Sequence, residues 1–195
     1  MANKIKYGLK SVYYAVATIA ADGSATYGTP VAVPGAVSLS LDAQGDNTPF
    51  YADNIVYYMG HGNSRYEGDL EMALLSDAFR KDVLGEAEDN KNVLYEDLNA
   101  EAVHFALLFQ FEGDAKATRH VMYNCTASRP SVAGSTKEES VDPQTETVTI
   151  TATSVYNNAL NKDIVKAKAG TETDATTYNG WFSAVYQPAT QATTT

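Results

Sequence analysis

The chain has 195 residues, a net charge of −10 and a pI near 4.6, and its length suits one domain with a core of its own. The acidity argues against tight binding to nucleic acid, which uses lysine and arginine to displace counterions from phosphates. Cys125 is the single cysteine, which excludes an internal disulfide and a multi-cysteine zinc site and fits a reducing compartment. The sequence has no apolar run long enough for a signal-peptide core or a membrane span, so we expect a soluble chain kept inside a cell.

The first part of the chain predicts strands. Thirteen tyrosines and abundant threonine and valine suit half-buried, pleated surfaces, so the composition indicates a mainly β fold. Residues 9–19 form the first predicted strand, and residues 26–33 form the second, after a turn at Asp22-Gly23. Val37, Leu39 and Leu41 then alternate with serines, which predicts a third strand with one buried and one solvated face.

In residues 42–65 this alternation is lost among glycine, asparagine, aspartate and proline. Four aromatic residues are interspersed there: Phe50, Tyr51, Tyr57 and Tyr58. The segment is too long for a hairpin loop and too aromatic for a disordered linker, although residues 50–58 are compatible with short strand pairs. Its aromatic residues either pack under the sheet of the same chain or contact a neighbouring subunit. We predict that this segment carries function, and the alternative is a self-packed Ω-loop.

The next elements are a strand over residues 66–75 and a short helix over residues 78–84. Ser76 and Asp77 are suitable N-cap residues, and Gly85 ends the helix. Helical spacing predicts that Phe79, Val83 and Leu84 face inward, whereas Arg80, Lys81 and Asp82 face water.

The strongest strand pattern covers residues 103–112, where five consecutive alternate positions are apolar: Val103, Phe105, Leu107, Phe109 and Phe111. Leu108 indicates partial cover of the opposite face, and residues 118–127 complete a predicted hairpin. Residues 145–156 form the last predicted strand, after a polar loop over residues 128–144. Beyond Asn157 one apolar group recurs at residues 181–186, and we expect the last few residues to be disordered.

The three histidines, His61, His104 and His120, do not have the spacing of a known metal motif, so surface or hairpin positions are favoured over metal ligation. A nucleophile–base pair of Cys125 and His120 is disfavoured, because five residues along one strand place the two side chains on opposite faces. Cys125 is therefore predicted to be a small buried residue.

Glu67, Asp69 and Glu71 share one face of a predicted strand. Such a row can serve acid–base chemistry or bind a cation, but it is more often a solvated or inter-subunit face. The sequence has no glycine-rich phosphate loop and no GxSxG motif. We therefore predict no catalytic, cofactor-binding or metal-binding residue and no enzyme activity.

Several segments, taken in order, resemble one known family. They are YGLK at 7–10, PGAVSLSL at 34–41 with GD at 45–46, FYADN at 50–54, YEGDLE at 66–71, FRKDVLG at 79–85, and KATRHV at 116–121 continuing through YNCT at 123–126. The family is that of the major tail proteins of siphoviruses and related prophages, in the group named after the staphylococcal phage phi13. The resemblance spans about residues 5–155 and fades beyond residue 156.

This resemblance implies a β-sandwich or partly closed β-barrel with one flanking helix. The subunits would form hexameric rings that stack into a tail tube through which DNA leaves the capsid. The implied partners are other copies of the chain, the tape-measure protein, and the tail terminator and tail-tip proteins. The implied location is the virion, after assembly in the cytoplasm of the host bacterium. An acidic channel would suit this role, because it would repel phosphate and let DNA slide without tight binding.

We divide the chain into a tail-tube β domain over residues 1–156 and a C-terminal extension over residues 157–195. The N-terminal arm and the extension are expected to become ordered against a neighbour, which would bury Trp181 and Phe182. The alternative function is a monomeric β-sandwich module that binds cell-surface carbohydrate on exposed tyrosines. A tube subunit uses its exposed strand edges to join neighbours, whereas a monomer must block them.

Overall fold

The computed structural model describes residues 3–45, 47–62, 64–136 and 143–189. These parts of the chain contain the strands β1 Lys6–Ile19, β2 Ala25–Tyr27, β3 Val31–Ala32, β4 Ala36–Gln44, β5 Asn47–Ala52, β6 Ile55–His61, β7 Arg65–Met72, β8 Ala87–Glu88, β9 Leu94–Tyr95, β10 Phe105–Gly113, β11 Thr118–Ala127, β12 Glu146–Thr153, β13 Val155–Asn157, β14 Lys162–Ile164 and β15 Lys166–Ala169. The helices are α1 Asp77–Asp82 and α2 Ala175–Asn179. The mainly β prediction is confirmed, and α2 is an additional helix that the sequence did not predict. Neither of these helices is long enough to cross a membrane.

Nine strands form one antiparallel sheet in the order β2–β1–β10–β11–β12–β7–β4, with β3 paired to β1 and β15 paired to β11. Only residues 33–35 separate β3 from β4, so one stretch of chain pairs with β1 and then with β7, far along the sheet. Within the described strands no ladder joins β4 to β1. The sheet is therefore a partly closed barrel, as the resemblance implied, and we call the gap between β4 and residues 6–11 of β1 the seam.

Both faces of the sheet's middle are buried. Phe105, Leu107 and Phe109 of β10 belong to the cluster inside the barrel, together with α1. Ala106 and Leu108 belong to a second cluster on the outer face, which confirms the predicted cover there. This second cluster includes Tyr178 and Trp181, so the segment after β15 covers the outside of β1, β10 and β11.

Helix α1 begins as the sequence predicts. The hydroxyl oxygen of Ser76 accepts a hydrogen bond from the Phe79 backbone N–H at 3.3 Å, and Phe79, Val83 and Leu84 are buried. Arg80 does not face water freely, contrary to the prediction. Its guanidinium is half-buried, because it lies 3.2 Å from the carboxylate of Glu86 and 2.6 Å from that of Glu146.

Local irregularities separate the observed strands from the predicted ones. The single strand predicted over residues 26–33 is split into β2 and β3. In β4, Ala36 pairs with Met72 but Ser38 pairs with Glu71, so Val37 is the extra residue of a β-bulge. Val37 is 50% exposed, and its predicted place on the buried face is wrong.

The expectation that Trp181 needs a neighbour for its burial is also wrong. Trp181 is 2% exposed within its own chain, and its indole N–H donates to the backbone carbonyl of His120 at 3.2 Å. Phe182 stacks on Tyr13 with ring centroids 4.8 Å apart. The division into two parts at residue 156 stays a prediction.

Candidate assembly surfaces

Strands β5 and β6 form a separate hairpin between β4 and β7. The turn at Asp53 and Asn54 has φ values of +51° and +60°, which are the left-handed conformations of a tight hairpin turn and which these two residue types tolerate. The short strand pairs that residues 50–58 allowed are therefore confirmed. Much of the segment over residues 42–65 is strand rather than loop.

The hairpin exposes large apolar side chains on the described part of the chain. The most exposed are Tyr57 at 71%, Tyr58 at 66%, Tyr51 at 64%, Ile55 at 61% and Phe50 at 60%. The aromatic residues therefore do not pack under the sheet of their own chain, and a self-packed Ω-loop does not describe them. An isolated two-stranded hairpin is marginally stable in water, and a contiguous apolar surface of this kind marks an interaction site.

A second surface lies on the outside of β4, β7 and β12, and we call it the acidic face. Its three cross-strand rows are Ser38–Glu71–Thr147, Ser40–Asp69–Thr149 and Asp42–Glu67–Thr151. The predicted row of Glu67, Asp69 and Glu71 is thus the centre of a surface of hydroxyls and carboxylates. Polar residues alternate here with the buried side chains inside the barrel.

Hydroxyl groups organise the carboxylates of the acidic face. Glu71 accepts hydrogen bonds from the side chains of Thr145 at 2.7 Å and Ser38 at 2.8 Å, and these bonds lower its pKa. Asp69 accepts from Thr149 at 2.8 Å. The described residues contain no group of three His, Cys, Asp or Glu side chains arranged to hold a metal ion. The row is a hydrogen-bonded, solvent-facing surface.

The histidines do not come together. Nδ1 of His104 lies 2.7 Å from Oδ1 of Asn124. His120 stacks on Phe109 inside the barrel. His61 belongs to β6, but its side chain lies outside the described residues.

The prediction that His120 and Cys125 occupy opposite faces of β11 is wrong. Phe105 pairs with Cys125 and Leu107 pairs with Met122, so β11 has one extra residue between Met122 and Cys125. This bulge turns Cys125 to the inside of the barrel, the side on which His120 lies.

Cys125 is nevertheless a buried structural residue, as predicted. It is fully buried, and burial raises the pKa of its thiol to about 12. A thiol of this kind is not ionised near neutral pH and is a poor nucleophile.

The fold and these surfaces define a mainly β protein that is equipped for association rather than for catalysis. The family model described as phage tail tube protein matches residues 2–194, and the chain belongs to this family. The match continues well beyond residue 155, where the resemblance between individual segments fades. Comparisons with curated proteins and with solved structures gave no significant match. The chain is therefore a self-assembling structural component of a phage tail, and so of the virion, and it is not an enzyme.

Proposed function

We propose that the chain forms hexameric rings, and that these rings stack into a tube that conducts DNA during ejection. Membership of the tail tube family supports assembly into a tube. The number of six subunits per ring and the stacking of the rings go beyond family membership and are the proposed part. The expected partners are other copies of the chain, the tape-measure protein, and the tail terminator and tail-tip proteins. Assembly would occur in the cytoplasm of the host bacterium.

The hairpin of β5 and β6 is the observation that carries this proposal. Its aromatic and aliphatic side chains are largely exposed in the single chain. Removing apolar surface from water is favourable by about 25 cal/mol per Å², before the entropic cost of association is subtracted. In a subunit of the tail tube family, a neighbouring subunit is the partner that would cover such a surface. We therefore assign the hairpin to contacts between subunits.

The acidic face suits the wall of the channel. It is exposed or half-buried, unlike the outside of β1 and β10, which the C-terminal segment covers. Arg65 is the cation at one end of this face, and its Nε lies 3.0 Å from the carboxylate of Glu67. Passing DNA would meet carboxylates and hydroxyls, which repel phosphate or bind it weakly.

Electron microscopy tests this proposal. The protein is imaged over a range of concentrations, alone and after co-production with tail-tip and tape-measure proteins. We expect stacked rings of six subunits with a central channel lined by Asp42, Glu67 and Asp69. Protein that stays monomeric under both conditions would overturn the tube, and a channel lined by another surface would overturn only the role of the acidic face.

A further inference from the structure

A cavity of about 290 Å³ opens at the seam, and its lining combines apolar walls with lysines. Much of its wall is apolar or aromatic: Leu39, Leu41, Tyr66, Phe109, Phe111 and Met122. Ser40, Lys6, Lys166 and His120 complete the lining. The volume holds one or two side chains and is at the small end of the range for small-molecule sites. We call this cavity the seam pocket.

The lysines of the seam pocket lie against aromatic rings. Nζ of Lys6 is 4.6 Å from the ring centroid of Phe111, and Nζ of Lys166 is 4.4 Å from that of Tyr66. Lys168 is close enough to His120 to disfavour its protonation. None of the three lysines forms an ion pair within the described chain.

Positive charge without an ion pair is thus gathered at the seam pocket of a chain with 24 acidic and 14 basic residues. Each of the described ion pairs uses a lysine or arginine outside the seam pocket. A pocket with apolar walls and free ammonium groups is complementary to an apolar segment that carries a carboxylate.

The tip of the β5–β6 hairpin has this composition. Asp53 occupies the turn, and Tyr51, Ile55 and Val56 flank it with their side chains exposed. The carboxylate of Asp53 has no hydrogen-bond or ion-pair partner within the described residues. A strand of six residues reaches about 20 Å, which is long enough to carry this tip onto a neighbouring molecule.

Other acidic segments fit the seam pocket less well. The loop near Leu98 also exposes apolar side chains, but the carboxylate of Glu96 pairs with Arg129 at 2.6 Å. The neighbouring Asp97 accepts a hydrogen bond from the Asn99 backbone N–H at 2.9 Å. On the acidic face, Glu71 and Asp69 already accept hydrogen bonds from hydroxyls, and Glu67 is paired with Arg65.

We propose that the hairpin tip of one copy of the chain inserts into the seam pocket of another, with the carboxylate of Asp53 between the ammonium groups of Lys6 and Lys166. This inference rests on the proposed function, because it names the receiving site for the hairpin in a tube. The tip covers the opening at the seam with Tyr51 and Val56. It also brings together the unpaired charges of the two copies.

Disulfide trapping between copies tests the inference directly. Protein with Asp53→Cys is mixed with size-tagged protein with Lys166→Cys under assembly conditions and then oxidised. We expect a mixed disulfide dimer in high yield, whereas Cys125 is buried and does not interfere. The matched control replaces Lys166→Cys by Lys91→Cys, an exposed position outside the seam pocket.

Charge reversal provides the second arm. Lys6→Glu with Lys166→Glu, and separately Asp53→Lys, should each raise the concentration needed for assembly by about tenfold or more. Combining all three changes in one chain should bring the concentration needed for assembly back towards the wild-type value. A misfolded variant would not recover in this way. Lys91→Glu should leave assembly unchanged.

The outcomes separate the two proposals. Suppose that the wild type forms tubes but Asp53→Cys is trapped equally by Lys166→Cys and by Lys91→Cys, or that charge reversal has no effect. The seam pocket is then not the receptor for the hairpin, and the proposed tube still stands. Wild-type protein that stays monomeric, alone and with its tail partners, would overturn the proposed function itself.

Discussion

The imidazole of His120 stacks on the phenyl ring of Phe109, with ring centroids 5.1 Å apart and an interplanar angle of 4°. Phe111 meets the same imidazole edge-on at 5.6 Å. Burial is the main cause that lowers the pKa of His120 from 6.5 to about 4, and the charges of Lys168, Lys6 and Lys166 add to it. His120 is therefore a neutral aromatic residue of the barrel interior near neutral pH.

This lowered pKa predicts an acid-sensitive contribution to stability. Between about pH 6.5 and pH 4 the unfolded chain binds a proton at His120 that the folded chain does not. The contribution of His120 to the free energy of unfolding should be present above this window and should be lost as the pH falls through it. His120→Phe keeps an aromatic ring on Phe109 and removes the titration.

Urea titrations at a series of pH values check this prediction. Wild type should lose more stability than His120→Phe between pH 6.5 and pH 4, and the two should change in parallel above pH 7. Identical profiles throughout would show that His120 does not titrate as its surroundings indicate.

Gly68 is a position where a methyl group does not fit. A Cβ there would lie 1.9 Å from the backbone carbonyl oxygen of Ser40, so β4 and β7 would have to move apart. Gly68→Ala should lower the free energy of unfolding by about 1–3 kcal/mol. Gly170→Ala is the matched control, because nothing lies within 4 Å of its Cβ. Equal stability of the two variants in urea titrations would contradict the packing of β4 on β7.

Trp181 joins the C-terminal segment to the outside of the sheet. Trp181→Ala should lower the free energy of unfolding of the monomer by about 3–5 kcal/mol, because the indole is buried and hydrogen-bonded to His120. Leu98→Ala, at a side chain 87% exposed, should change it by about 0.5 kcal/mol or less. A monomer that keeps its stability but fails to assemble would instead support burial of Trp181 against a neighbour.

The aromatic residues of the hairpin should act on assembly and not on folding. Phe50→Ser with Tyr57→Ser should leave the melting temperature of the monomer nearly unchanged, since both side chains are exposed. The same change should raise the concentration required for tubes by tenfold or more, as measured by light scattering and electron microscopy. Tyr95→Ser, at another exposed tyrosine, is the control, and normal tubes from the hairpin variant would rule out a contact role.

Reversing charge on the acidic face should make the channel retain DNA. Tubes with Asp42→Lys and Asp69→Lys should co-sediment with DNA, and the retention should weaken steeply as salt is raised. Wild-type tubes should not retain it. Asp163→Lys, on the exposed edge of β14, is the control variant. If tubes of the Asp163→Lys control retain DNA equally well, the acidic face does not line the channel.

The sequence by itself determined the elements whose patterns are local. Apolar alternation placed a strand at residues 103–112, close to β10 Phe105–Gly113, and cap residues placed a helix at 78–84, close to α1 Asp77–Asp82. Both signals depend on neighbours within a few residues, so they can be recognised without the rest of the fold. The matching segments, which are also local strings of residues, were enough to indicate the tail tube family.

Only the tertiary structure decided which side chains share a face and what covers them. The bulges at Val37 and in β11 arise from pairing with a partner strand, and they reversed the predicted positions of Val37 and Cys125. The burial of Trp181 requires the outer face of a sheet that is distant in sequence, and the seam pocket joins Lys6 to Lys166 in the same way. Such contacts depend on how the strands are arranged in space, and a pattern of period two carries no information about that arrangement.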